Sequence, residues 1–166
     1  MERNKLEYDR LWSDHHWETR EVIRDAVSNS PCFDVDKNAL MENQEKLGRV
    51  FGKLTKNAKA GEELTKALKE HINIAIELVT AAKTGKATDP ILSRWQQNAD
   101  EISMIYRKNH KRIPLLPTKR MMQNHLETTL AEALAIVKGD CTESYEKGEI
   151  ALDHIRMMAQ FLNNAF

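Results

Sequence analysis

Apolar residues recur at spacings of three and four along almost the whole chain, and no stretch of useful length alternates with a period of two. A chain so patterned buries one stripe per helix and has no face to offer a sheet, so the expected fold is all-α. Punctuation falls at Ser30-Pro31, Ala60-Gly61, Gly85 with Asp89-Pro90, Ile113-Pro114 with Leu116-Pro117, and Gly139-Asp140. These breaks predict six helices, at roughly 3 to 28, 36 to 58, 61 to 84, 89 to 109, 117 to 138 and 141 to 164. Helices of about 30 Å joined by short connections favour antiparallel neighbours, in a four-helix core with two flanking helices or a more irregular six-helix arrangement.

The 166 residues carry no linker-like stretch, so residues 1–166 are read as a single domain, long enough to build a core without disulfide or metal staples. Two features interrupt the helical pattern. Gly48 and Gly52, four apart inside the second helix, point to a close backbone approach, and Gly148 is expected to set the first turn of the last helix apart.

Lys plus Arg equals Asp plus Glu at 25 each, which removes any global electrostatic argument for a polyanionic partner. One local cluster stands out: Arg107, Lys108, Lys111, Arg112, Lys119 and Arg120, with His110 among them and no acidic residue between. This 107–120 connection is the one place where a nucleic acid or an acidic partner is expected to bind, although Tyr106 is its only aromatic neighbour for base stacking. The charged start of the chain and the interruption of Ile72 to Val79 by Asn73 and Glu77 lead us to expect neither secretion nor a membrane span. Two cysteines, Cys32 and Cys141, both in expected connections, fit a reducing, cytoplasmic setting. No P-loop, dinucleotide fingerprint, nucleophile elbow or zinc-protease motif is present, so whether the chain is an enzyme stays open, as does its oligomeric state.

The most informative polar residues are four histidines on four different helices. His15 shares a face with Leu11, Glu18 and Val22, and His71 lies on the seam Leu64, Leu68, Ala75, Leu78 and Ala82. His125 shares a face with Met122, Thr129, Glu132 and Ile136, while His154 flanks the stripe Ala151, Ile155, Met158 and Leu162. An imidazole buried without a partner costs about 1 to 3 kcal/mol, so each inward histidine needs an acceptor, a carboxylate or a metal. His15, His71, His125 and Glu132, with His154 next and Glu18 as a further carboxylate, are therefore the candidate ligands for zinc, iron, copper or nickel, or for a small ligand.

The simpler alternative is that each histidine is satisfied by a neighbour such as Thr19, Thr129 or Glu132. No Glu-x-x-His pair occurs at these histidines, and the fourth residue after each is Thr19, Ala75, Thr129 or Met158, so ferritin-like and haemerythrin-like sites are disfavoured. His16 is expected at a helix boundary and His110 in a loop. In the fourth helix Asn98 is placed at the margin of the apolar side and Asp100 at the surface.

The segments Leu11-Trp12-Ser13-Asp14-His15 with Thr19-Arg20, Leu64-Thr65 to His71, Trp95 with Asn98-Ala99-Asp100, Met122 to His125, and His154-Ile155 with Met158-Ala159 together resemble a small all-helical family. That family occurs in spore-forming and related bacteria and in large DNA viruses of amoebae. The resemblance implies a helical fold and one histidine in each of four segments, here His15, His71, His125 and His154. It implies no reaction, and it adds a non-enzymatic role as a structural or interaction protein packaged in a virus particle. The chain departs from the family pattern at Glu18, where an aromatic residue is more usual, and in the basic connection after Asn109.

Overall fold

The computed structural model describes residues 1–166 and contains six α-helices and no strand. They are α1 (Glu2–Ser28), α2 (Phe33–Thr55), α3 (Ala58–Lys83), α4 (Asp89–Asn109), α5 (Leu115–Lys138) and α6 (Cys141–Asn163). None is long and apolar enough to cross a membrane.

Each helix packs on its neighbours in the chain, and α6 returns to α1, which closes a ring. The odd-numbered helices α1, α3 and α5 also touch one another across its centre. The bundle is thus three inner helices with an outer helix in the groove between each pair, where the sequence suggested four inner and two flanking. Connections of a few residues leave each even-numbered helix beside both of its chain neighbours, and this arrangement follows. Lys5 at the start of α1 donates to the Asn163 carbonyl at the end of α6, and Arg20 near the end of α1 reaches Ser144 at the start of α6, so these two run antiparallel. Lys83 near the end of α3 donates to the Ala26 carbonyl near the end of α1, so inner helices run parallel.

Helix starts differ from expectation where a breaker residue has another use. The second turn is made by Lys56, in the left-handed region at φ 54°, and Asn57 caps α3 by accepting from the Ala60 amide at 3.3 Å. Gly61 therefore lies inside α3, where it faces Gly48. A Cβ on Gly61 would sit 2.4 Å from the Gly48 carbonyl oxygen. Pro117 falls in the first turn of α5, where its missing N–H has no helical partner to lose. α6 runs unbroken through Gly148 from its cap Asp140, which accepts from the Glu143 amide at 2.8 Å. The separate first turn expected there does not occur, because Gly148 makes room for a side chain of α1.

One end of the bundle is aromatic: Tyr8, Trp12, Phe51, Tyr106 and Phe166 belong to the main apolar cluster, with the Tyr8 and Tyr106 hydroxyls 2.5 Å apart. The other end holds two small aliphatic clusters, Val22 with Leu40 and Ile72, and Ile23 with Val79 and Ala133.

All three atoms nearest a Cβ at position 61 are backbone, so nothing there can rotate away. Overpacking of about 1 to 3 kcal/mol should outweigh the ~1 kcal/mol that alanine gains in a helix. Gly61→Ala is expected to lower the urea midpoint by a clear margin, with the m-value unchanged.

Candidate functional site

Because α1, α3 and α5 are the inner helices, the histidines on their inward stripes meet at the centre. His15 and His71 are each 2 % exposed and His125 6 %. The His125 ring lies 5.9 Å from His15 and 5.9 Å from His71, measured between centroids, and it stacks on His71 at an interplanar angle of 23°. Trp12 and Trp95 wall the group, at 5.3 Å from His15 and 5.1 Å from His71.

An outer helix braces each of two inner imidazoles. From α2, Gln44 places its amide nitrogen 3.2 Å from His15 Nδ1. From α4, Asn98 places Oδ1 2.8 Å from His71 Nδ1 and donates through Nδ2 to the Ala67 carbonyl at 3.0 Å. The Ala67 contact fixes the Asn98 amide, so His71 carries its proton on Nδ1 and leaves the Nε2 lone pair free. That Nε2 is buried and has no hydrogen-bond partner. His125 Nδ1 has Thr129 Oγ1 at 3.4 Å, on its own helix.

The remaining sequence candidates lie apart. His154 donates from Nε2 to the Met121 carbonyl at 2.9 Å, one turn before His125 on α5. Glu132 is seven residues beyond His125, roughly 10 Å along the helix axis. It pairs instead with Arg20 of α1, which also donates to the Ser144 carbonyl at 3.2 Å. Glu18 is half-buried where α1 meets α2, beside Lys46 and Glu42, and its carboxyl is pushed up to about 7, first by burial and then by Asp14.

His16 is the clear correction. It lies within α1, only 7 % exposed, with Nδ1 4.0 Å from Glu132 and Nε2 unpartnered. Adjacent histidines on one helix point about 100° apart, and an inner helix buries both directions. The Arg20–Glu132 pair accounts for Gly148, since a Cβ there would strike the Arg20 guanidinium and stand 2.8 Å from Glu132 Oε1. Asn98, placed at a margin from sequence, is 4 % exposed and holds His71, whereas Asp100 is at the surface as expected, 2.8 Å from Lys119. Gln44 went unnoticed and Arg20 was given no role beyond the resemblance, although Gln44 interrupts the stripe Leu40, Leu47 and Phe51, and Arg20 follows Trp12 and His16 at steps of four.

The basic connection is largely engaged within the chain. Lys108 meets Glu63 at 3.1 Å, Lys119 meets Asp100, Arg112 donates to the Phe166 carbonyl at 3.0 Å, and Arg107 donates to the Lys111 carbonyl. Only Lys111 and Arg120 of the six side chains have no such contact. His110 caps α4, its ring 5.0 Å from Phe166.

Burial keeps the imidazoles neutral. It pulls His15 down to about 3 and His71 to about 4, and the neighbouring histidines lower His15 further. His125 falls well below the usual histidine range, by burial first and then by the charges that His15 and His71 would carry. No group of three His, Cys, Asp or Glu side chains stands as placed in an arrangement that holds a metal ion. Searches of family models, curated proteins and solved structures return no match to the chain.

Two outcomes follow for the ion-free chain. A depressed histidine binds its proton in the unfolded state first, so the histidine contribution is flat above pH ~6.5 and falls as pH drops toward the folded values, by up to about 1.4 kcal/mol per unit for each group, while the raised Glu18 carboxyl works in the opposite sense below pH ~7. Urea unfolding at stepped pH should show that fall, and His125→Asn should make it shallower. Glu132→Ala leaves Arg20 charged and unpaired in the interior, and thermal or urea denaturation should register a loss of about 3 to 5 kcal/mol.

Proposed function

We propose that this chain is a helical binding protein whose site is the imidazole group His15, His71 and His125, and that its ligand is a transition-metal ion such as zinc, iron, copper or nickel. The observation that carries the reading is the buried His71 Nε2: an acceptor with its tautomer fixed by Asn98, on a ring stacked against His125, with no hydrogen-bond partner in the chain. It is one of several buried side-chain atoms without a partner around this centre, with His16 Nε2, Gln44 Oε1 and the Trp12 and Trp95 indole nitrogens, and among these it is the one whose lone pair is left open by a fixed tautomer.

Three further features support it. Imidazole ligands are commonly oriented through the ring nitrogen that does not bind the metal, as Asn98 does at His71 Nδ1 and Thr129 can do at His125 Nδ1, whereas the Gln44 amide nitrogen donates to His15 Nδ1, so His15 must change tautomer to offer Nε2 to an ion. The rings are neutral, the protonation state a metal needs. Two imidazoles on one ion at bond lengths near 2.0 Å have centroids roughly 5 Å apart, so the 5.9 Å separations close by a small shift. Ring rotation must accompany it, since His71 and His125 now lie nearly parallel. Glu132 and His154 are left out of the ligand set, one by its ion pair with Arg20 and the other by its bond to Met121.

A non-enzymatic structural or interaction role, including packaging in a virus particle, is the second reading. It is favoured by the side-chain or carbonyl partner that each of the four histidines already has.

Metal analysis of tag-free protein after loading and desalting separates the two. The metal reading expects about one equivalent per chain, lost in His71→Gln/His125→Gln and retained in His154→Gln, with the helical circular dichroism of all three alike. Cobalt(II) loading should give the visible absorption of a nitrogen-ligated ion. Negligible metal in wild type and variants alike supports the structural role and sinks the metal reading.

A further inference from the structure

The imidazole centre offers nitrogen lone pairs and no negative charge. Glu132 is the one buried carboxylate of the chain and is committed to Arg20, while both thiols, Cys32 and Cys141, are exposed. Imidazole binds a metal as a neutral ligand, so an ion at this centre keeps its whole charge. It keeps it in an interior where the rings of His15, His71 and His125 are only 2 to 6 % exposed and where Trp12 and Trp95 stand against two of them. The cost of burying an ion grows as the square of its charge, so a divalent ion costs about four times what a monovalent one does. Zinc centres built on three histidines offset that cost with a hydroxide drawn from solvent, which needs an open position that water reaches.

The number of ready donors points the same way. His71 presents Nε2 in its fixed tautomer, and His125 presents Nε2 when its Nδ1 donates to Thr129. The His15 lone pair is at Nδ1 and is taken by the Gln44 amide, so a third imidazole joins only after a change of tautomer. Zinc completes four ligands, whereas copper(I), a closed-shell ion, is stable with two or three. Spacing agrees with a low coordination number. Two imidazoles on opposite sides of one ion, at bonds near 2.0 Å, have centroids roughly 6 Å apart, and a tetrahedral pair has them nearer 5 Å. His71 and His125 stand at 5.9 Å with their planes 23° apart, and opposed ligands tolerate parallel planes. That pair needs its Nε2 atoms turned toward each other, with no closing of the helices.

We propose that the ion this centre takes is copper(I), held between His71 Nε2 and His125 Nε2 with His15 as the third imidazole in reach. The assignment rests on the reading that these imidazoles hold a metal, and it adds which oxidation state and coordination number they select.

The test uses the full, tag-free chain carrying Cys32→Ser and Cys141→Ser, because two exposed thiols would take copper(I) themselves. It is titrated without oxygen, under ascorbate, against the coloured copper(I) complex of bicinchoninate, and in parallel against a chromophoric zinc indicator. One equivalent of copper(I) should transfer, with an affinity at least about a hundredfold above that for zinc. X-ray absorption at the copper edge should show two or three nitrogen neighbours and no sulfur, a readout that needs no substitution at the centre. His71→Gln and His125→Gln should each weaken copper(I) binding about a hundredfold or more, and Asn98→Ala, which frees the His71 ring to turn, about tenfold. Zinc, cobalt(II) or nickel(II) bound at one equivalent as tightly as copper(I) overturns the assignment and leaves the metal reading standing. A four-coordinate copper spectrum, or full copper(I) affinity in His71→Gln, overturns it as well. No uptake of any of these ions, copper(I) included, removes both the assignment and the metal reading beneath it.

Discussion

Placing three imidazoles at the centre of a bundle imposes a requirement that the rest of the architecture answers. Each ring must be desolvated, and a desolvated nitrogen needs a partner or its loss is felt in full. The inner helices supply His15, His71 and His125, and α2 and α4 lie in the grooves from which Gln44 and Asn98 reach His15 and His71. Outer helices therefore do more than cover an apolar stripe: two of them fix the orientation of a ring one layer inward. The account leaves His71 Nε2 open, together with Gln44 Oε1 and the Trp12 and Trp95 indole nitrogens around it.

A second polar element ties the same helices together further along. Arg20, Glu132 and His16 join α1 to α5, and the Arg20 bond to the Ser144 carbonyl brings in α6. Burying an ion pair adds little net stability, but a pair with one correct geometry penalises every other register of the three helices. Gly148 is part of that element although it contributes no polar side chain. Its missing Cβ is the space the guanidinium occupies, and so a residue that reads as a helix weakener in sequence is a packing requirement in the fold.

The helices and the inward direction of the histidines were legible because both follow from the 3.6-residue period, a property of each segment alone. What was hidden depends on how segments are shifted against one another. His125 and Glu132 share a stripe, and nothing in that stripe says that His15 and His71 stand level with the first and Arg20 with the second. Asn98 looked marginal because its neighbour, the Ala67 carbonyl, is on another helix, and Lys108 and Lys119 looked free because Glu63 and Asp100 are distant in sequence. His16 was misplaced for a different reason: a helix surrounded on several sides has no spare face, and adjacent residues can both be interior.

The polar centre also makes the bundle mechanically unequal along its length. Between the imidazoles and one end stand aromatic rings joined by edge contacts and by the Tyr8–Tyr106 hydrogen bond, with Phe166 packed against Tyr8 and Phe51. Toward the other end stand two aliphatic clusters of three buried residues each. Fluctuations that admit water should start where fewer contacts must break, so the aliphatic end is where solvent and protons reach the centre first, and the aromatic end is the anchor about which the helices part.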